Sequence, residues 1–123
     1  MKILGIGVDI VENSRIGKLL KNKIFIKRIF SNSEILIANK IRDKKGYYSK
    51  RFAAKEAFAK SIGTGFRDDL NYNDISIVND KLGKPSFVIN ETIKKIVKKK
   101  FKIISFNFFL SISDEKKYSV AYV

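Results

Sequence analysis

The first ten residues alternate. Leu4, Ile6, Val8 and Ile10 share one face of an extended segment, and Ile3, Gly5, Gly7 and Asp9 share the other. This period of two predicts a strand over residues 2–10 with one apolar face. Two glycines thin its second face, which leaves room for a ligand or another backbone to come close. After Asn13 and Ser14, both suitable caps, Ile16, Leu19 and Leu20 recur at helical spacing, with Arg15, Lys18 and Lys21 turned outward. Ser31-Asn32-Ser33-Glu34 has the form of a capping box and opens a second helix. Its stripe is Ile35, Ala38 and Ile41, and residues 44–46 end it. Residues 50–62 predict an alanine-rich helix, with Ser49 as cap and Gly63 as terminator. Residues 66–73 read as loop. Residues 75–78 and 87–89 predict a hairpin across a turn at 80–85. Asn90 caps a lysine-rich helix with Ile93, Ile96 and Val97 inward. Residues 103–113 and 117–123 predict two further strands around a turn at 114–116. Antiparallel strands mixed with helices define an α+β class, here a small single domain over residues 1–123.

Composition narrows the chemistry. The 123 residues are 45% hydrophobic and 31% charged, which suits one domain with a real core. There is no cysteine and no histidine. Disulfides, thiolate or imidazole zinc sites and Ser-His-Asp hydrolysis are therefore excluded within the chain. Any metal has to be a hard cation held by oxygen. No apolar run nears the ~20 residues of a membrane helix. The amino-terminal segment turns acidic too soon for a signal peptide. The expectation is a cytoplasmic protein with no membrane partner. Lys and Arg number 26 against 12 Asp and Glu, a net charge of +14. That balance attracts phosphates, nucleic acid or an acidic protein; AT-rich codon usage yields the same lysines.

Glu56 and Lys60 stand four apart and share a helix face. On a solvated helix such a pair is worth only ~0.3–0.5 kcal/mol. Ala53, Ala54, Ala57 and Ala59 would let that helix pack closely on a sheet and bring Glu56 beside Asp9. Two neighbouring carboxylates repel unless a cation lies between them. Mg²⁺ suits the position, because it takes one or two carboxylates and completes its shell with water and phosphate oxygens. Gly63 and Gly65 follow at once, with Gly63 also an ordinary helix terminator.

Taken in order, GIGVDIVE, FAAKEAFAKSIGTG, DISI…GKP and SIS before a terminal YSVAYV closely resemble the holo-acyl-carrier-protein synthases, the bacterial 4′-phosphopantetheinyl transferases of fatty-acid synthesis. The resemblance spans essentially the whole chain. It implies Mg²⁺-dependent transfer of 4′-phosphopantetheine from coenzyme A to a serine of apo acyl carrier protein, with release of adenosine 3′,5′-bisphosphate. It implies that Asp9 and Glu56 hold the metal and that Lys60 contacts the phosphates, Glu56 and Lys60 being the catalytic candidates. It puts Arg51, Gly63, Gly65, Lys84 and Pro85 along the coenzyme A site. It further implies a homotrimer with sites at subunit interfaces. Where the family usually has histidine after SIS, this chain has Asp114, which cannot donate to a phosphate at neutral pH. Either Lys116 and Lys117 replace that contact or it is dispensable.

The stretch from 15 to 28 carries six Lys or Arg and no acid. It fits a docking surface for an acidic carrier protein, with Arg15 as its chosen residue. The rival from another class is a small basic RNA-binding protein, permitted by the charge, ten Phe and five Tyr. That reading requires aromatics interleaved with basic residues on one sheet face and gives Asp9 and Glu56 no role. The apolar residues on both sides of residues 101–113 point instead to buried surface shared with another copy of the chain.

Overall fold

The computed structural model describes residues 1–67 and 69–123. The chain runs β1 (Val8–Glu12), α1 (Asn13–Leu19), α2 (Lys23–Ile29), α3 (Asn32–Ala38), α4 (Lys44–Ile62), a 3-10 turn (Tyr72–Asp74), β2 (Ile77–Asn79), β3 (Pro85–Phe87), α5 (Glu91–Phe101), β4 (Ser111–Asp114) and β5 (Tyr118–Tyr122). This is the α+β arrangement that the pattern predicts. β1, β5 and β4 form one antiparallel sheet in the order β1-β5-β4. β2 and β3 form a separate hairpin with Ile77 opposite Phe87 and Asn79 opposite Pro85.

α4 is the axis of the molecule. It is longer than the sequence pattern suggests: Asp43 accepts from the Gly46 N–H and starts the helix at Lys44, six residues before position 50. The Gly46 that looked like a terminator therefore lies in its first turn. Fourteen of the nineteen residues are buried, including Ala53, Ala54, Ala57, Phe58 and Ile62. A helix buried nearly all round has no single apolar stripe, which is why its first turns escape periodicity. Gly63 ends it in the left-handed conformation, φ 84°, as its position predicts.

The two glycines of the amino-terminal segment are explained by α4. A Cβ on Gly5 would strike the Ser61 carbonyl, and one on Gly7 would strike the Ala57 carbonyl and come within 2.7 Å of the Ser61 nitrogen. The close approach is thus by backbone, one of the two options the glycines left open. Only residues 8–12 form β1 rather than 2–10, although Gly7 exchanges both backbone bonds with Val123. The face predicted as apolar is exposed: Ile6 is 60% and Ile10 64% accessible.

The basic segment after β1 is two helices, because Asn22 caps a fresh start by accepting from the Ile24 and Phe25 N–H groups. The Ser31 and Asn90 caps form as predicted. The predicted strand at 103–113 is reduced to Ser111–Asp114. Residues before it pack through aromatic rings instead: Phe108 stacks on Phe58 at 4.4 Å and meets Phe87 edge-on at 6.0 Å. These rings serve the core and not a base-stacking face. Asn13 caps nothing. Buried, it donates to the Glu115 and Lys116 carbonyls and accepts from the Ser119 hydroxyl, pinning the β4–β5 turn.

Candidate active site

The glycine contact fixes β1 against the last turns of α4, and this brings three predicted residues together. Lys60 Nζ donates to Asp9 Oδ1 and to the Val8 carbonyl, each at 3.0 Å. Its side chain remains 54% exposed, whereas that of Asp9 is 17% exposed. One turn back, half-buried Glu56 accepts a 2.6 Å hydrogen bond from the Tyr72 hydroxyl. Burial pushes the Tyr72 phenol well up, reinforced by its bond to Glu56 and by the charges of Glu56 and Asp9. Both carboxylates therefore bear on the same phenol, which stays a proton donor at neutral pH.

The other predicted residues fall into three groups. Arg51 is buried; it stacks 3.7 Å over the Tyr47 ring and donates to Asn79 Oδ1 at 2.6 Å. Asn79 in turn donates to the Gly83 carbonyl, and Asp80 Oδ1 accepts from the Lys84 N–H. Arg51 is thereby tied to the hairpin that carries Lys84 and Pro85. Gly63 and Gly65 both adopt positive φ after α4, with open space where a Cβ would stand. Arg15 is exposed on α1, apart from these contacts. Asp114 lies exposed on β4, with Lys116 and Lys117 exposed in the turn beyond it.

Two features escape sequence reasoning. Lys55, next to Glu56, is fully buried: Nζ donates to Glu34 Oε1 at 2.6 Å, the Ile29 carbonyl at 2.8 Å and the Tyr72 carbonyl at 3.1 Å. Burial pushes this amine down and the Glu34 carboxylate opposes that shift. Glu34, legible only as half of a capping box, also accepts from the Ser31 and Ile77 N–H groups. Tyr72 is the second. It sits in a segment that reads as loop and reaches Glu56 across sixteen positions of sequence.

The donor set suits Mg²⁺. Asp9 and Glu56 offer hard oxygen, and among the described residues no third acid, histidine or cysteine joins them to close a protein cage. Mg²⁺ is usually held in this way, by two carboxylates with water and substrate phosphate completing the shell.

On a small α+β scaffold, α4 thus carries Glu56 and Lys60 on one face, with Lys60 paired to Asp9 of β1 and positive-φ glycines following the helix. The sequence profile of the ACPS family, the 4′-phosphopantetheinyl transferase superfamily, matches residues 5–123. The holo-(acyl-carrier-protein) synthase of Pelagibacter ubique is 77% identical over 123 residues, covering 100% of this chain and 96% of that one. The crystal structure of the Neisseria meningitidis holo-(acyl-carrier-protein) synthase superposes with a TM-score of 0.89 at 39% identity, over 98% of this chain and 96% of that one. The Bacillus anthracis synthase in complex with coenzyme A (3′,5′-ADP) gives 0.80 at 33% identity, over 98% and 93%. The chain belongs to the 4′-phosphopantetheinyl transferase superfamily and, within it, to the holo-(acyl-carrier-protein) synthase family.

Proposed function

We propose that the protein transfers 4′-phosphopantetheine from coenzyme A to a serine of apo acyl carrier protein, with Mg²⁺ held between Asp9 and Glu56. The observation that carries this reading is the packing of Gly5 and Gly7 on the α4 backbone, which sets Asp9 against Lys60 one turn from Glu56. In the reaction the serine Oγ attacks the phosphorus bearing the pantetheine arm. The Oγ–P bond forms as the P–O bond to the bridging oxygen breaks. Adenosine 3′,5′-bisphosphate leaves with that electron pair, and the serine proton is released. Such transfers need positioning and charge neutralisation more than covalent help from the protein.

Asp9 and Glu56 would hold Mg²⁺, which when bound would supply charge neutralisation for the pyrophosphate. Lys60 is half-exposed and can turn from Asp9 to a phosphate. Arg51 steadies the hairpin that brings Lys84 and Pro85 to coenzyme A; the Gly63 N–H closes α4 on the Ala59 carbonyl, and the open space beside Gly63 and Gly65 lets the phosphates approach the backbone there. The nucleophile arrives on the partner, so a chain without histidine or cysteine suffices. Arg15, Lys18, Lys21, Lys23, Lys27 and Arg28 are all exposed on α1, α2 and the turn between them, and among the described residues none forms an ion pair. This face suits an acidic carrier protein.

The protein works as a homotrimer in this reading. The exposed Ile3, Leu4 and Ile6 line a groove of about 670 Å³ with Phe106, Phe109 and Tyr122. An exposed apolar groove of this kind supports that reading, since such patches commonly serve as interfaces. Sedimentation at micromolar concentration should give three times the chain mass; a fully active single chain overturns the trimer. Apo acyl carrier protein incubated with the protein, coenzyme A and Mg²⁺ should gain the mass of one phosphopantetheine. An unchanged mass, with RNA bound instead, would favour the nucleic-acid reading.

A further inference from the structure

Tyr72 is held at three points. Its ring lies between Phe66, with centroids 3.5 Å apart and planes at 16°, and Phe52, at 5.9 Å and 8°. Its carbonyl accepts from the buried Lys55 ammonium at 3.1 Å. That ammonium is fixed in turn by Glu34 and the Ile29 carbonyl. Its hydroxyl donates to Glu56 Oε1 at 2.6 Å. Glu56 has a flexible three-bond side chain and is half-buried. Among the described residues, the phenol is the one hydrogen-bond partner its carboxylate has. A short bond from a neutral donor to a carboxylate is charge-assisted and directional.

We infer that Tyr72 is a positioning residue for the transfer reaction: its hydroxyl ties down Glu56 Oε1 and presents Oε2 as the metal-binding oxygen, and the Glu34–Lys55 pair sets the phenol's height by anchoring its backbone. The inference rests on the reading of Glu56 as a metal ligand. Groups that orient metal ligands typically govern affinity by ~10–100-fold, because a ligand free to rotate must be ordered at each binding event. Glu56 needs such a partner more than Asp9, whose side chain is one rotatable bond shorter.

The test is Tyr72→Phe, which keeps the stacked ring and removes only the hydroxyl. Mn²⁺ serves as the probe, its free form followed by electron paramagnetic resonance with coenzyme A present. The Mn²⁺ dissociation constant should rise about 10-fold, with the half-saturating Mg²⁺ for transfer rising in parallel and the metal-free melting temperature unchanged. A Tyr72→Phe protein that binds Mn²⁺ as tightly as wild type overturns the inference, whatever its melting temperature. Glu56→Gln separates the two claims. If Glu56→Gln weakens Mn²⁺ binding and Tyr72→Phe does not, only the positioning role falls. If Glu56→Gln leaves Mn²⁺ binding intact, the metal reading of Glu56 falls, and the inference with it.

Discussion

Lys55 and Lys60 stand five positions apart on one helix, and each pairs with one carboxylate. Lys55 is wholly buried, with Glu34 equally buried at 2.6 Å and two backbone carbonyls completing its shell. Lys60 pairs with Asp9 at 3.0 Å but keeps 54% of its side chain in solvent. The first cation has no exchangeable partner, since moving it would strand a buried carboxylate and two backbone carbonyls without water. The second can change partners at little cost, because water stands ready to replace whatever it leaves. A buried pair specifies geometry and an exposed pair permits exchange. The helix uses the first to join α3, the 3-10 turn and β2, and the second at the proposed site of chemistry, where a phosphate has to be admitted.

The largest effect that would sharpen this contrast is on stability. Glu34→Ala leaves the buried Lys55 ammonium without its counter-ion and the Ser31 and Ile77 N–H groups without their acceptor, and breaking one side of a buried pair costs about 3–5 kcal/mol. Denaturant unfolding should record that loss; a fall below about 1 kcal/mol would mean that the buried pair is no rivet. Next come Asp9→Ala and Glu56→Ala. Each removes one hard oxygen from the proposed metal site, and transfer should drop by about 100-fold or more at ordinary Mg²⁺. Near-normal transfer by either variant in EDTA-treated buffer would sink the metal assignment. Lys60→Ala should lower transfer about 10-fold as a phosphate contact is lost, with the melting temperature unchanged. If the melting temperature falls and the kinetics do not, Lys60 is structural like Lys55, and the contrast between them collapses.

The smallest effect concerns docking. Arg15→Glu should raise the apparent KM for the carrier protein several-fold at low salt and leave that for coenzyme A little changed, because the charge acts on approach over a Debye length of ~8 Å at physiological salt. Added salt should act in the same direction on the wild-type protein. A shift confined to coenzyme A would move Arg15 into the nucleotide site.

Much of this protein is determined locally and was therefore open to reading from the chain. The Ser31 and Asn90 caps and the Gly63 terminator are set by residues within a few positions of one another and form as their sequences require; the β2–β3 hairpin forms too, but with strands at 77–79 and 85–87 rather than 75–78 and 87–89, so that Pro85 opens β3 instead of closing the turn. The i,i+4 spacing of Glu56 and Lys60 follows from helix geometry alone, and the alanines beside them announce a close-packed neighbour. The start of α4 was hidden because a helix buried on nearly every side shows no amphipathic stripe. The exposed apolar face of residues 3–10 kept its strand-like alternation although only residues 7–10 pair with the terminal strand. What tertiary structure alone decided are the long contacts. Asp9 meets Lys60 because Gly5 and Gly7 have no Cβ to hold α4 away. Glu34 passes from a local cap to a buried counter-ion only when α3, α4 and β2 converge on it. Tyr72 finds Glu56 only after the chain has turned back through the 3-10 segment, and no pattern of spacing records a bond made across sixteen residues by a fold.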